Sequence, residues 1–199
     1  MNLATLRHAV ILGVFCLGFG LVMAMTKELA ADDIAARAME DKLNSLSQVL
    51  PPEIYDNNPL NAVITLKNEE GKEVTIYRAL KGGKVTGTAY EIRGSGYAGE
   101  IRLMLGVAAD GKVLGVRVLA HKETPGLGDK IETKKGDWIL RFDGASLGSL
   151  ANDKWKVKKD GGEFDQFAGA TITPRGVVKA VHAGLEFFAA NQTKLTEVN

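Results

Sequence analysis

Two glycine-rich stretches hold the side chains most able to do chemistry. One is Asp165-Gln166-Phe167-Ala168-Gly169-Ala170-Thr171-Ile172-Thr173-Pro174, and the other is His121-Lys122-Glu123-Thr124-Pro125-Gly126-Leu127-Gly128-Asp129. In the first of these, the small residues at 168–170 let another group approach the backbone closely. Thr171 then offers a hydroxyl beside a helix N-terminus, where unpaired N–H groups and the helix dipole favour a phosphate. A phosphate group, free or esterified to that hydroxyl, fits such a place. The alternative is an ordinary loop in which Thr173 caps the helix and Thr171 bonds its own backbone.

Other chemistries are poorly supplied. A single cysteine, Cys16, excludes an internal disulfide, a thiolate zinc site and a cysteine-ligated iron–sulfur cluster. Three histidines, His8, His121 and His182, leave little for a histidine-rich metal centre, and no metal site is expected. There is no G-x-G-x-x-G after a strand, no G-x-x-x-x-G-K-[ST] loop and no G-x-S-x-G elbow, so neither NAD nor ATP binding is expected. A formal net charge of +1 on 199 residues argues against nucleic acid as a partner.

The elements that must position these stretches are legible in the hydropathy pattern. Ala9 to Met25 is an uncharged run of 17 residues. As a helix it spans about 26 Å, adequate for a hydrocarbon core of roughly 30 Å. Arg7 precedes it, and Lys27, Glu28, Asp32 and Asp33 follow. The positive flank predicts a cytoplasmic N-terminus over residues 1–8, a transmembrane anchor over 9–25 and an exported remainder. A cleaved signal peptide is the rival, because Val22-Met23-Ala24 offers small residues at cleavage positions. The length of the apolar run favours the uncleaved anchor, and Cys16 in its middle is a poor lipidation site. Beyond the anchor 24 basic residues face 24 acidic ones, which gives no basis for strong electrostatic steering.

Residues 26–50 read as a stalk helix with an apolar stripe of Leu29, Ile34, Ala38, Leu43, Leu46 and Val49, ended by Pro51-Pro52 and packing on the domain beyond. Alternating, β-rich runs follow at 62–67, 73–80, 84–93, 99–108 and 112–120, with Asp110-Gly111 as a hairpin turn between the last two. Leu127–Phe142 suits one or two short helices. Thr173 as N-cap and Pro174 at the first helical position open a last helix, whose buried face is Val177, Val178, Val181, Leu185 and Phe188. A polar tail, 192–199, is expected to fray. The predicted fold is α+β: an antiparallel sheet with flanking helices over 51–191, on a single N-terminal transmembrane helix.

Several motifs in order resemble a known family. The 165–171 stretch resembles the flavinylation signature D-x-x-[ST]-G-A-[ST], whose last Thr or Ser is esterified to the phosphate of FMN. With the N-terminal anchor, Gly96-Tyr97-x-Gly99-x-Ile101, the 121–131 loop, the 155–167 run and Gly169–Pro174, the whole chain resembles the G subunit of the Rnf/Rsx electron transport complex. More distantly it is similar to the C subunit of the sodium-translocating NADH:quinone reductase. The resemblance implies an FMN-binding domain with FMN held covalently on Thr171, Asp165 opening the recognition sequence of a flavin transferase, and Gly169 and Ala170 giving clearance. Ala168 departs from the pattern, standing where Ser or Thr is usual. Thr173 is the rival acceptor, but its expected capping role engages its hydroxyl.

The 121–131 loop is then the other wall of the flavin site. Leu127 packs on the ring or in the core, Thr124 and Gly126 line the flavin, and Glu123 bonds its edge or pairs with Lys122 or Lys130. His121 reads as a strand-end residue, and Tyr97 as a ring neighbour or a structural aromatic. The basic run Lys154–Lys159 reads as a solvated face, with Lys158 or Lys159 near the phosphate as the minority alternative. The implied role is an electron carrier in the bacterial inner membrane with a periplasmic domain. Its implied partners are the other membrane and peripheral subunits and, during maturation, the flavin transferase. No catalytic residue for substrate turnover of its own is expected. The alternative is a membrane-tethered binding or scaffold domain of the same fold without covalent flavin.

Overall fold

The alternation of apolar and polar residues between Val63 and Ala120 produces five strands, and the spacing of glycines decides what can lie against them. The computed structural model describes residues 2–68 and 71–197. They form a helix α1 (Leu3–Ser47), strands β1 (Val63–Lys67), β2 (Glu73–Lys81), β3 (Lys84–Ser95), β4 (Glu100–Ala108) and β5 (Val113–Ala120), and a helix α2 (Ile172–Thr196). Short 3-10 turns connect them, including Gly128–Ile131 and Trp138–Phe142 where short helices are predicted. Two compact units result, Met1–Lys42 and Leu43–Asn199.

The first unit is helix alone. Within it Leu6–Ala31 is long and apolar enough to cross a membrane, with a mean hydropathy of 2.3. No side chain in that stretch is buried against protein, the state of a helix whose apolar surface has lipid as its solvent. The predicted stripe along the stalk holds only at its end. Leu46 and Val49 are buried, as is Leu50, but Leu29 and Ile34 are 80% and 60% exposed. Leu46, Val49 and Leu50 are buried by the sheet residues Tyr77, Ala89 and Met104, whereas Leu29 and Ile34 belong to the first unit.

In the second unit the sheet is an antiparallel meander in the order β1-β2-β3-β4-β5. Ile76 stands opposite Tyr90, and Tyr90 opposite Leu105, so one face presents large apolar side chains in register. Helix α2 lies on that face through Val177, Val181, Leu185 and Phe188. The Tyr90 hydroxyl donates to the Gly184 carbonyl at 2.8 Å and so satisfies the one polar group it brings inside. The opposite face holds a smaller cluster built on Leu46, Val49, Leu50, Tyr77, Ala89 and Met104. Gly106 and Gly115 admit Val49 there, since a Cβ on Gly106 would overlap the Val49 carbonyl oxygen.

Segment 128–170 has little regular structure and is held by aromatic rings. Phe142 stacks on Phe164 with centroids 4.6 Å apart, and Trp138 meets Phe142 and Phe167 edge-on. Helix α2 continues past Asn191 to Thr196, farther than the predicted fraying allows. Leu195 is buried, and the Arg78 guanidinium donates to the Glu197 carbonyl at 2.8 Å, so the last turn is tied to the sheet. Val198 and Asn199, the end of the predicted tail, lie outside the described residues.

Candidate functional site

Three segments meet at one end of the sheet: the β3–β4 turn at 96–99, the loop after β5 at 121–128, and the approach to α2 at 165–173. Glycines make the meeting possible. Gly176 in the second turn of α2 lies so close to Ser95 that any Cβ would overlap the Ser95 carbonyl oxygen. Gly169, at φ 79°, would carry a Cβ 3.6 Å from Leu127 Cδ2, which brings the two predicted loops against each other. Gly126, at φ 78°, turns the first loop so that the Leu127 and Gly128 N–H groups both donate to the Thr124 carbonyl. A left-handed conformation of this kind is open to glycine without strain.

Helix α2 begins two residues earlier than predicted, at Ile172, with Thr171 in the capping position. Thr171 makes no side-chain capping bond, and its carbonyl accepts the Arg175 N–H. Thr171 as a residue is half-buried, and the first-turn N–H groups of Ile172 and Thr173 that follow it have no acceptor within the helix. Thr173 is therefore not the N-cap. It is fully buried, and its hydroxyl donates to Glu123 Oε2. The capping expectation fails because the helix already includes Ile172 and Thr173, so Thr173 stands inside the first turn, where its hydroxyl donates to the buried carboxylate.

Glu123 pairs with neither Lys122 nor Lys130. It is 5% exposed, and its Oε1 accepts the Ala98 N–H at 2.9 Å while the Tyr97 N–H also bonds the carboxylate. Burial pushes its pKa up, but the bonds from Thr173, Ala98 and Tyr97 and the nearby His121 prevail and hold it below the usual value. His121 accepts the Glu123 N–H on Nδ1 at 3.0 Å, so Nε2 carries the proton shared with Glu132 at 2.6 Å. The imidazole is a brace for the loop.

The remaining predicted residues are distributed around this junction. Leu127, Tyr97 and Ile172 all expose apolar side chains, at 43%, 74% and 46%. Thr124 and Gly126 are exposed on the same loop as Leu127. Ala170 is tied back by its N–H to the Phe167 carbonyl at 3.1 Å, which fixes the backbone just before Thr171. Asp165 is placed differently. Its carbonyl accepts the Trp138 indole N–H at 2.7 Å, and its carboxylate pairs with Lys158 at 2.7 Å and Arg141 at 3.4 Å. The Lys158 hydrogen bond, helped by Arg141, holds that carboxyl below its usual range against a smaller opposing desolvation. Lys158 thus belongs to an ion-pair cluster, while Lys159 donates its backbone N–H to the Gln166 side chain at 3.2 Å.

What the sequence does not disclose is the Glu123–Thr173 bond. The partners lie 50 residues apart, and each has a more local role that reads equally well.

The surface that results is a half-buried threonine at a helix N-terminus, flanked by exposed apolar side chains. It suits a ligand with a phosphate at one end and a flat apolar ring at the other. Comparison with known proteins agrees. Residues 96–186 match the FMN-binding domain family, and residues 1–49 match the RnfG N-terminal region. The chain is 49% identical over 190 residues to the G subunit of the ion-translocating oxidoreductase complex of Cereibacter sphaeroides, covering 96% of this chain and 87% of that protein. It is 46% identical over 186 residues to the corresponding G subunit from Stutzerimonas stutzeri, covering 94% and 82%. The crystal structure of Shewanella oneidensis NqrC shares the fold, with a TM-score of 0.50 at 23% identity over 76% of this chain and 73% of that one. With its N-terminal apolar helix, its five-stranded sheet and the junction at Thr171, the chain belongs to the family of G subunits of Rnf-type ion-translocating oxidoreductase complexes.

Proposed function

We propose that the protein is a membrane-anchored electron carrier that works through FMN joined to Thr171 by a phosphoester. One observation carries this reading: of the two threonines at the start of α2, Thr171 is only half-buried and its side chain makes no capping bond, whereas Thr173 is fully buried with its hydroxyl given to Glu123. Attachment balances as transfer from FAD. The Thr171 oxygen takes the FMN phosphoryl group, the pyrophosphate bond breaks, AMP leaves, and the hydroxyl proton is released.

The residues present fit this cofactor. Ile172 and Thr173 offer N–H groups of the first helical turn to phosphate oxygens. Leu127, Tyr97 and Ile172 supply apolar surface for a ring, and Gly169 and Ala170 keep bulk away from the attachment point. Lys158 and Arg141, held together by Asp165, add positive charge beside the approach to α2. Bound FMN takes up one or two electrons, and so links one-electron and two-electron carriers. A covalent bond suits a domain outside the cytoplasm, where a dissociated cofactor is hard to replace.

In this reading the uncharged run from Ala9 to Met25, within the apolar stretch Leu6–Ala31, spans the bacterial cytoplasmic membrane. Arg7 stays on the cytoplasmic side and the FMN domain is periplasmic, beside the other subunits of an Rnf-type complex. The test is coexpression of the full chain with a flavin transferase. The intact mass should rise by one FMN residue, and a denaturing gel should show a fluorescent band that Thr171→Ala removes. A wild-type chain without added mass, beside a labelled control acceptor, overturns the covalent attachment.

A further inference from the structure

The Glu123 carboxylate occupies a chamber whose walls are glycine. A Cβ on Gly96 would overlap its Oε1, and a Cβ on Gly128 would come within 2.7 Å of its Oε2 and 2.8 Å of the Thr173 hydroxyl oxygen. Inside the chamber one anion joins three separate parts of the chain. It takes N–H bonds from Tyr97 and Ala98 in the β3–β4 turn, it belongs to the loop that carries Leu127, and it accepts the hydroxyl of Thr173 in the first turn of α2. The β3–β4 turn has little else to fix it, its own bond being Gly96 N–H to the Gly99 carbonyl at 2.7 Å. Tyr97, Leu127 and Thr171 thus sit on three segments whose shared polar tie is this carboxylate.

We propose that Glu123 is the positioning residue of the flavin site: it does not touch the flavin, but it fixes the Tyr97 turn and the first turn of α2 relative to one another, so that Tyr97 and Leu127 flank a group carried on Thr171. The inference rests on the reading that Thr171 carries FMN. Glu123 also keeps the Thr173 hydroxyl engaged, which leaves Thr171 as the hydroxyl presented at the surface. Gln at 123 preserves the arrangement, because its amide oxygen accepts both turn N–H groups and its amide nitrogen donates to Thr173. Ala removes all three bonds, and Val at 173 removes one without changing the shape of the side chain.

The test uses the full chain in detergent, unloaded and loaded. In the unloaded chain, hydrogen exchange at Tyr97 and Ala98 should be about tenfold faster in Glu123→Ala than in wild type, the factor expected for loss of a hydrogen bond to a charged acceptor. Glu123→Gln should stay within about twofold of wild type on the same grounds. In chains loaded by the transferase, flavin occupancy by intact mass and the ratio of native to denatured flavin fluorescence should both change in Glu123→Ala. They should change in the same direction in Thr173→Val, and return to wild type in Glu123→Gln and Thr173→Ser.

Wild-type exchange at Tyr97 and Ala98 in a folded Glu123→Ala chain overturns the inference, and so does an unchanged occupancy and fluorescence ratio once exchange has risen. If Glu123→Ala does not fold, the milder pair decides: Thr173→Val equal to wild type overturns the inference, and Thr173→Val changed with Thr173→Ser restored supports it. A wild-type chain that takes no flavin beside a labelled control overturns the Thr171 reading and this inference together. A labelled wild type with an unaffected Glu123→Ala overturns the inference alone.

Discussion

Both long helices are rich in apolar residues, yet they use them in opposite ways. In α1, Phe15, Leu17 and Phe19 are 62%, 77% and 70% exposed, whereas in α2 Val177, Val181, Leu185 and Phe188 are between 0 and 2%. The difference is one of pattern. Between Ala9 and Met25 no polar face exists to turn toward water, so burying one side of α1 against protein would still leave the other side apolar. In α2, Lys179, Glu186 and Gln192 alternate with the apolar positions at helical spacing, and one face docks on Tyr90, Ile92 and Leu105. An apolar helix therefore needs lipid, and an amphipathic one needs a sheet. The proposed attachment at Thr171 relies on the second, because only a helix fixed to the core can present a threonine at a defined place.

The largest expected effect comes from removing the first helix's solvent requirement. Deleting residues 6–31 should move the protein entirely from the membrane fraction to the soluble fraction, with the melting temperature of the remaining unit unchanged. Fractionation and calorimetry check this, and a deleted chain that stays with membranes breaks the contrast.

Next is the second helix. Phe188→Ala should cost about 3–5 kcal/mol of folding stability through lost burial and a residual cavity, read by denaturant unfolding. Phe15→Ala, the same change in α1, should leave that stability unaltered.

A smaller effect concerns how α2 is tied to the turns. The Glu123 pKa is lowered on folding, so its stabilising contribution is complete above the ordinary value of 4.5 and is lost as pH falls through the lowered folded value. Glu123→Gln should therefore flatten the acid loss of stability below that pH, as measured by melting temperature against pH. A variant that keeps the full wild-type acid limb assigns the loss to other carboxylates.

Smallest of all is Thr171→Ala, expected to change stability by no more than about 0.5 kcal/mol, because the side chain is part-exposed and caps nothing. It should nevertheless abolish flavin attachment. A large stability loss would mean that the hydroxyl has a structural role, and would sharpen the distinction from Thr173.

The strands were legible because alternation with period two over Val63–Ala120 leaves few other structures for those residues. The apolar helix was legible for the same kind of reason, since its signal is local and continuous. Thr171 was singled out as a candidate by the small residues before it and the helix after it. The stalk stripe at Leu29 and Ile34 misled because an apolar stripe does not announce what covers it, and these two residues are exposed in the first unit. Thr173 misled because a Thr before a Pro has the local form of an N-cap, and nothing near it in the chain announces Glu123.

By itself, then, the amino-acid sequence determined the elements, the membrane-crossing length of the first helix and the position of the candidate attachment hydroxyl. These depend on residues within one or two turns of each other, where periodicity and local hydrogen bonding decide the outcome. Only the tertiary structure decided which hydroxyl is free. That choice turns on a carboxylate 50 residues away entering a chamber between Gly96 and Gly128, where burial makes every donor around it count and where a side chain on either glycine would shut it out.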